Sequence, residues 1–349
     1  MKHRITAIIH SILFASATVL SAPAAELIEW GRDLPEDRDD RLMLTAGAIT
    51  ELKGMVQETT RKLYDVTGSY WKQEDAESYD TDDFNLDGPF PTFGISYERA
   101  AHLFSFQIDA AYVSAEATSV ARRNYYLSVG SDISYNGQNY DHLKIPKGTE
   151  FTAELQGVFM EINVPFHPVS INPTDTFKIV PSFDMSVMLF GGQYSIDAGE
   201  PTGVMQYQNP PEDFVIGGKA DGLAGIGMPQ FGPGLEIAFG NPDAIAWNFQ
   251  AHYLMFGYDG STAWLTSADH RDKNAEIDHS NIRVRGTMEI ALENEKCLLL
   301  GAQYQIIETT GNITSTATSD EEILAKQERF DKEFTFDMTS VSGFIGLGF

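Results

Sequence analysis

The chain has 349 residues, 24 basic and 50 acidic, for a formal charge of -26. Such an acidic surplus leaves no basic patch to offset phosphate charge, so nucleic acid is excluded as a partner. With 42% hydrophobic residues and a mean hydropathy of -0.21, the chain is not a bundle of membrane helices, and it is long enough for one large β domain.

The N-terminus reads as a secretory signal. Lys2 and Arg4 precede an apolar centre from Ile5 to Leu20, and Ala22-Pro23-Ala24 is an A-x-A site, so cleavage is expected after residue 24. No second apolar run of about 18 residues follows. Removing the signal takes away two basic residues and no acid, which makes the exported chain more acidic still. The single cysteine, Cys297, allows no internal disulfide and reads as a small apolar residue at a strand start.

Residues 25–59 are expected to form a periplasmic or plug segment. Asp33 is a candidate helix cap, Pro35 fits the first turn and Glu36 completes a capping box. Leu42, Ala46, Ile49, Leu52 and Val56 then recur at helical spacing, which predicts an amphipathic helix over 34–57. The competing reading is a strand through Leu42, Leu44, Ala46 and Ala48, which would enlarge a barrel.

From residue 60 onward strands alternate with turns. The first is placed at 61–71, followed by an acidic loop. Strands at 91–98 and 102–115 come next, joined by a tight connection at Arg99-Ala100-Ala101. After a polar loop, the strand at 149–164 starts with Phe151, Ala153 and Leu155 on the apolar side and ends with Val158, Met160 and Ile162 there. That change of phase predicts a bulge near Gly157. The connection through Pro165, Pro168 and Pro173 is expected to be unpaired. A strand at 176–190 precedes the longest loop, 191–231, rich in Gly and Pro. Strands at 232–240 and 244–258 flank Asn241-Pro242-Asp243. The strand at 281–293 has the clearest alternation, with Ile282, Val284, Met288 and Ile290 on one face and Arg283, Arg285, Thr287 and Glu289 on the other. A strand at 297–309 and a terminal one at 334–349 complete the chain.

The last strand ends on Phe349, with Leu347, Ile345, Gly343 and Val341 on one face and Phe344 on the other. A terminal aromatic on an alternating strand resembles the recognition signal of Gram-negative outer-membrane β-barrel proteins, with Phe344 standing where glycine is common. The resemblance implies passage through the barrel-assembly machinery by way of Phe349, an outer-membrane location, and contact with outer-membrane lipids and lipopolysaccharide. Long and short links alternate through the chain, as the outer loops and periplasmic turns of such barrels do. The expected fold is therefore all-β, an antiparallel transmembrane barrel of about ten strands, with twelve as the alternative, spanning 60–349.

Residues expected to line the lumen are Lys178, Asp184, Glu236, His252, Arg283, Arg285, Glu289, Glu293, Asp109 and Glu154. A barrel of this size is largely filled by side chains, so these charges either pair with one another or line a narrow polar channel. In the first outer loop Asp83, Asn85 and Asp87, with Gly88, match the first half of a calcium loop without its closing glutamate. Calcium is the one cofactor the sequence raises, against a plain solvated acidic loop. Adjacent Asp-His pairs occur at Asp141-His142, Asp269-His270 and Asp278-His279. Aspartyl-type outer-membrane proteases have ten strands, paired carboxylates and an Asp-x-His motif. Adjacent residues on a strand point to opposite faces, so catalysis is not expected here. Three functions stand: a structural or narrow-channel barrel, a surface-loop binding or adhesion protein, and a rim hydrolase.

Overall fold

The computed structural model describes residues 28–31, 40–53, 58–59, 63–64, 71–72, 77–78, 84, 88–174, 176–208, 211–261, 271–293, 296–317 and 329–349. Ten long strands form one closed antiparallel barrel: β1 Asp40–Lys53, β2 Phe90–Arg99, β3 Phe106–Val120, β4 Glu150–Phe166, β5 Phe177–Asp197, β6 Lys219–Gly240, β7 Ile245–Ser261, β8 Arg271–Ala291, β9 Cys297–Ala317 and β10 Arg329–Gly348. Each pairs with its neighbour in sequence, and β10 returns to β1. The seam is tied at its end by Asp40 N–H to Phe349 C=O (3.1 Å) and Phe349 N–H to Asp40 C=O (2.9 Å). Closure leaves no open edge at the level of the seam, as hydrocarbon requires.

The amphipathic helix expected over 34–57 is corrected where the chain is described. Residues 40–53 are a wall strand, with Leu42 and Leu44 outward and Met43 buried inside. Ala46, Leu42 and Ile49 fit a helical period, but β10 and β2 supply hydrogen-bonding edges on both sides, and pairing decides the matter. The barrel therefore begins at Asp40, and the strand count stays at ten. The single strand expected at 61–71 is corrected where the chain is described: Leu63–Tyr64 pairs antiparallel with Trp71–Lys72, so the chain reverses within that stretch. The signal segment and Asp83, Asn85 and Asp87 lie outside the described residues.

The outer surface carries an apolar belt. Leu44, Phe93, Phe183, Phe249, Val284, Tyr304 and Ile345 are exposed, and their sequence neighbours face inward. On β8 the outward residues are apolar from Ile282 to Ile290 and polar from Asn274 to Ser280. On β9 the outward face turns from Ile306 to Glu308, and on β10 from Val341 to Thr339 and Asp337. A stretch of about nine residues per tilted strand matches the hydrocarbon of an outer-membrane-type barrel. The short connections and the seam lie at one end of this belt. The strands overshoot the other.

Above the belt the pattern inverts. Inward residues become apolar and outward ones polar, as in a soluble β domain. On β4 Phe151, Ala153, Leu155 and Phe159 are buried inside, and Glu154 is exposed. The bulge expected near Gly157 is absent, since β4 runs in unbroken register with β3 and β5 through that residue. The change of side belongs to the surroundings, which pass from lipid to water. The loop expected over 191–231 is likewise mostly strand, with β5 reaching Asp197 and β6 starting at Lys219. Gly222 makes this close pairing feasible, because a Cβ there would lie 2.1 Å from the Tyr194 ring.

Pairing of β6 with β7 stops at Phe231 opposite Met255. Beyond it β3–β6 and β7–β10 continue as two walls. A second sheet covers this end: Gly203–Gln208, Pro211–Ile216, Gln138–Ile145 and Tyr125–Tyr135, in that order. The turn between Tyr125–Tyr135 and Gln138–Ile145 uses Asn136 and Gly137 at φ 51° and 78°, both in the left-handed region.

Candidate functional site

The interior at belt level is tied across by one carboxylate. Glu161 on β4 is 1% exposed. Its Oε1 accepts from Ser186 Oγ on β5 (3.3 Å), Gln230 Nε2 on β6 (3.3 Å) and Asn281 Nδ2 on β8 (3.4 Å). Its Oε2 accepts from Gln305 Nε2 on β9 (2.8 Å). Arg283 Nη1 lies 3.3 Å from the same carboxylate and 3.3 Å from Asp109 Oδ2, and its Nη2 donates to Gln107 Oε1 at 3.3 Å. The knot thus joins β3, β4, β5, β6, β8 and β9. Its amides also bond one another. Gln230 Nε2 donates to Ser186 Oγ (3.0 Å), Asn281 Nδ2 to Gln230 Oε1 (3.1 Å) and Gln305 Nε2 to Asn281 Oδ1 (3.1 Å). His279 adds contacts to Gln230 Oε1 (3.0 Å) and Thr309 Oγ1 (2.8 Å). A buried charge is tolerable when paired and hydrogen-bonded in this way.

Toward the short-turn end a second layer follows. Arg285 donates from Nη2 to Ser96 Oγ (2.9 Å) and stacks 4.8 Å above the Phe344 ring. Phe344, the departure from the glycine usual in such terminal strands, is therefore a cation–π seat. Arg41 pairs with Glu289 at 2.8 Å and Glu98 at 3.7 Å. Asp184 is fully buried, accepts from Ser182 Oγ (2.6 Å) and Asn163 Nδ2 (3.3 Å), and pairs with His252 Nδ1. Glu236 accepts from Asn248 Nδ2 at 2.8 Å. Among the described residues, one small void of about 50 Å³ lies beside Asp109 and Gln305 and another of about 20 Å³ beside His252 and Glu236. Volumes of that order hold a few waters.

Of the residues expected in the lumen, Asp184, Glu236, His252, Arg283 and Arg285 are buried, and Asp109 and Glu289 take part in the ion pairs above. Lys178 is half-buried at the short-turn end of β5. Two are corrected. Glu154 is exposed, because it lies above the belt, where polar side chains face out. Glu293 is exposed in the turn after β8, which ends at Ala291. Glu161, Gln230, Asn281 and Gln305 were not anticipated. Glu161 and Asn163 alternate with the apolar Met160, Ile162 and Val164 on β4, and that alternation was the available signal.

The Asp-His pairs do not converge. Asp141 and His142 bond each other at 2.7 Å, with Asp141 largely exposed. Asp278 faces out and His279 faces in. Asp269 and His270 lie outside the described residues. Among the described residues, no three His, Cys, Asp or Glu side chains are placed to share a metal ion.

Above the knot the interior is apolar. Phe151, Leu155, Phe159, Phe190, Phe336 and Met338 from the walls meet Tyr125, Leu127, Leu143 and Ile145 from the covering sheet. Phe84, from the loop between β1 and β2, is fully buried 5.3 Å from the Tyr125 ring and 5.9 Å from the Phe151 ring.

A closed ten-stranded antiparallel sheet, apolar outside and polar inside over one belt, defines a transmembrane β-barrel. No family model and no curated protein matches the chain. Among solved structures, the outer membrane protease OmpT from Escherichia coli is similar at 9% identity, with 91% of this chain and 99% of that one covered and a TM-score of 0.38. The P. putida toluene transporter TodX is similar at 8% identity over 90% of each chain, with a TM-score of 0.22. A Pseudomonas aeruginosa FadL homologue is similar at 9% identity over 90% of each, with a TM-score of 0.23. Likeness at this level carries no argument about activity, and the barrel assignment rests on the strand register itself.

Proposed function

We propose that the protein is a non-conducting outer-membrane barrel that anchors a β-structured head outside the cell. The head is its working surface, and binding there is its role. The observation that carries this reading is the double closure of the interior. The Glu161–Arg283 knot crosses the lumen at belt level, and an apolar core sealed by the covering sheet lies above it. A hydrated ion would have to displace both layers. The narrow-channel alternative needs a continuous polar path, and the apolar layer interrupts one. The belt supports contact with outer-membrane lipid, and the short turns and Phe349 then face the periplasm.

The test is single-channel conductance of the refolded protein in a planar bilayer. The expected result is a folded protein without discrete current steps. Open steps whose ion preference changes with Arg283→Glu would replace the anchor with a pore.

A further inference from the structure

Several strands above the belt lack a neighbour on one side among the described residues. They differ in how that edge is guarded. The upper part of β3 carries Glu116 and that of β7 carries Asp259. Charges of this kind discourage strand addition. Two lengths carry no charge: Gly222–Gln230 of β6, which has Tyr125–Tyr135 of the covering sheet beside it, and Gly203–Gln208, GVMQYQ. The latter stands last in the covering sheet and, among the described residues, pairs only with Pro211–Ile216. Val204 is 39% exposed and Gln206 is exposed. Phe214 on the paired strand is buried against Tyr126 and His142, so the hairpin is held by packing as well as by its ladder.

We propose that this edge is a strand-addition site for an extended, cationic polypeptide segment. Main-chain N–H and C=O groups along the edge supply the hydrogen bonds, and flanking side chains select the sequence. Charge chooses the occupant. Asp213 is exposed directly opposite Gln206, and Asp197 and Glu200 lie in the approach to the strand. A second copy would bring another chain of formal charge -26 to the same place, which opposes self-pairing. The edge strand runs from Gly203 to Gln208 after Pro201, so the added segment is about six residues long.

The proposal rests on the head being the working surface, but its test is independent of conductance. The full chain, refolded in detergent, is titrated with a labelled ten-residue peptide alternating Lys with Val and Thr. The controls are the same peptide N-methylated at alternate amides and a version with Glu for Lys. Binding of the Lys peptide is expected, at least about tenfold weaker after N-methylation and in Gln206→Lys, which guards the edge while leaving the core untouched. Equal binding of the N-methylated peptide would mean adhesion to an acidic surface and overturn strand addition. No binding of the Lys peptide, or a dimer in sedimentation that Gln206→Lys abolishes, would overturn the cationic occupant. A conducting barrel that still binds the peptide would refute the anchor and leave the site standing.

Discussion

Replacing Glu161 by leucine tests whether the cross-lumen knot holds the barrel together. Glu161 accepts four side-chain hydrogen bonds and one ion pair while 1% exposed. Most of the stranded groups have somewhere to go. Gln230 Nε2 keeps Ser186, Asn281 Nδ2 keeps Gln230 and Gln305 Nε2 keeps Asn281. Arg283 keeps Asp109 at 3.3 Å and Gln107 at 3.3 Å but loses half of its counter-charge. Breaking a buried pair costs about 3–5 kcal/mol, and the retained amide bonds place Glu161→Leu near the lower figure. Glu161→Gln keeps the shape and exchanges charged hydrogen bonds for neutral ones, so a loss of about 1–2 kcal/mol is expected. The assay is equilibrium urea unfolding in lipid vesicles, followed by tryptophan fluorescence. Because the apolar layer above is untouched, neither variant should conduct. A Glu161→Leu protein within about 0.5 kcal/mol of the parent would show that the knot fills space without bearing load.

Three further outcomes are expected. Val284→Arg, on the outward face of β8, should cost about 2–4 kcal/mol in the same vesicles, whereas Thr287→Lys, which points inward beside Glu289 and Asn248, should be far milder; equal losses would refute the face assignment. Phe84→Ala removes the contacts with Tyr125 and Phe151 and should lower stability by about 3 kcal/mol in urea unfolding. Gly222→Ala places a methyl within 2.1 Å of the Tyr194 ring and should cost about 1–3 kcal/mol, restored in part by adding Tyr194→Ala.

Strand periodicity was enough to find nine of the ten wall strands, because within the belt a residue's side follows from its polarity. Lipid rewards apolar side chains outside, and the narrow lumen takes polar ones. The tenth, Asp40–Lys53, was obscured by chemistry that suits both periods. Leu42 and Ala46 are four residues apart, a spacing that puts them on one face of a strand and of a helix alike, and no local residue distinguishes the readings. The edges of β10 and β2 do so, and they lie far away in sequence.

The misplacement of Glu154 has a different origin, and it shows how the site could have been found. Reading Phe151, Ala153 and Leu155 as outward assumed one rule for the whole strand, so a bulge was needed to reverse it. With two surroundings the same residues need no bulge: they are inward because the strand has left the lipid. The parity set by Val158, Met160, Ile162 and Val164 then runs unbroken through β4 and places Glu161 and Asn163 inside, at the level of Arg283. A carboxylate forced inward by its apolar neighbours, at the height of an inward arginine on a distant strand, is where a cross-lumen tie is to be sought. What parity alone does not supply is which partners meet. Between Glu161 on β4 and Arg283 on β8 stand three strands one way round the barrel and five the other, so only closure brings them to 3.3 Å.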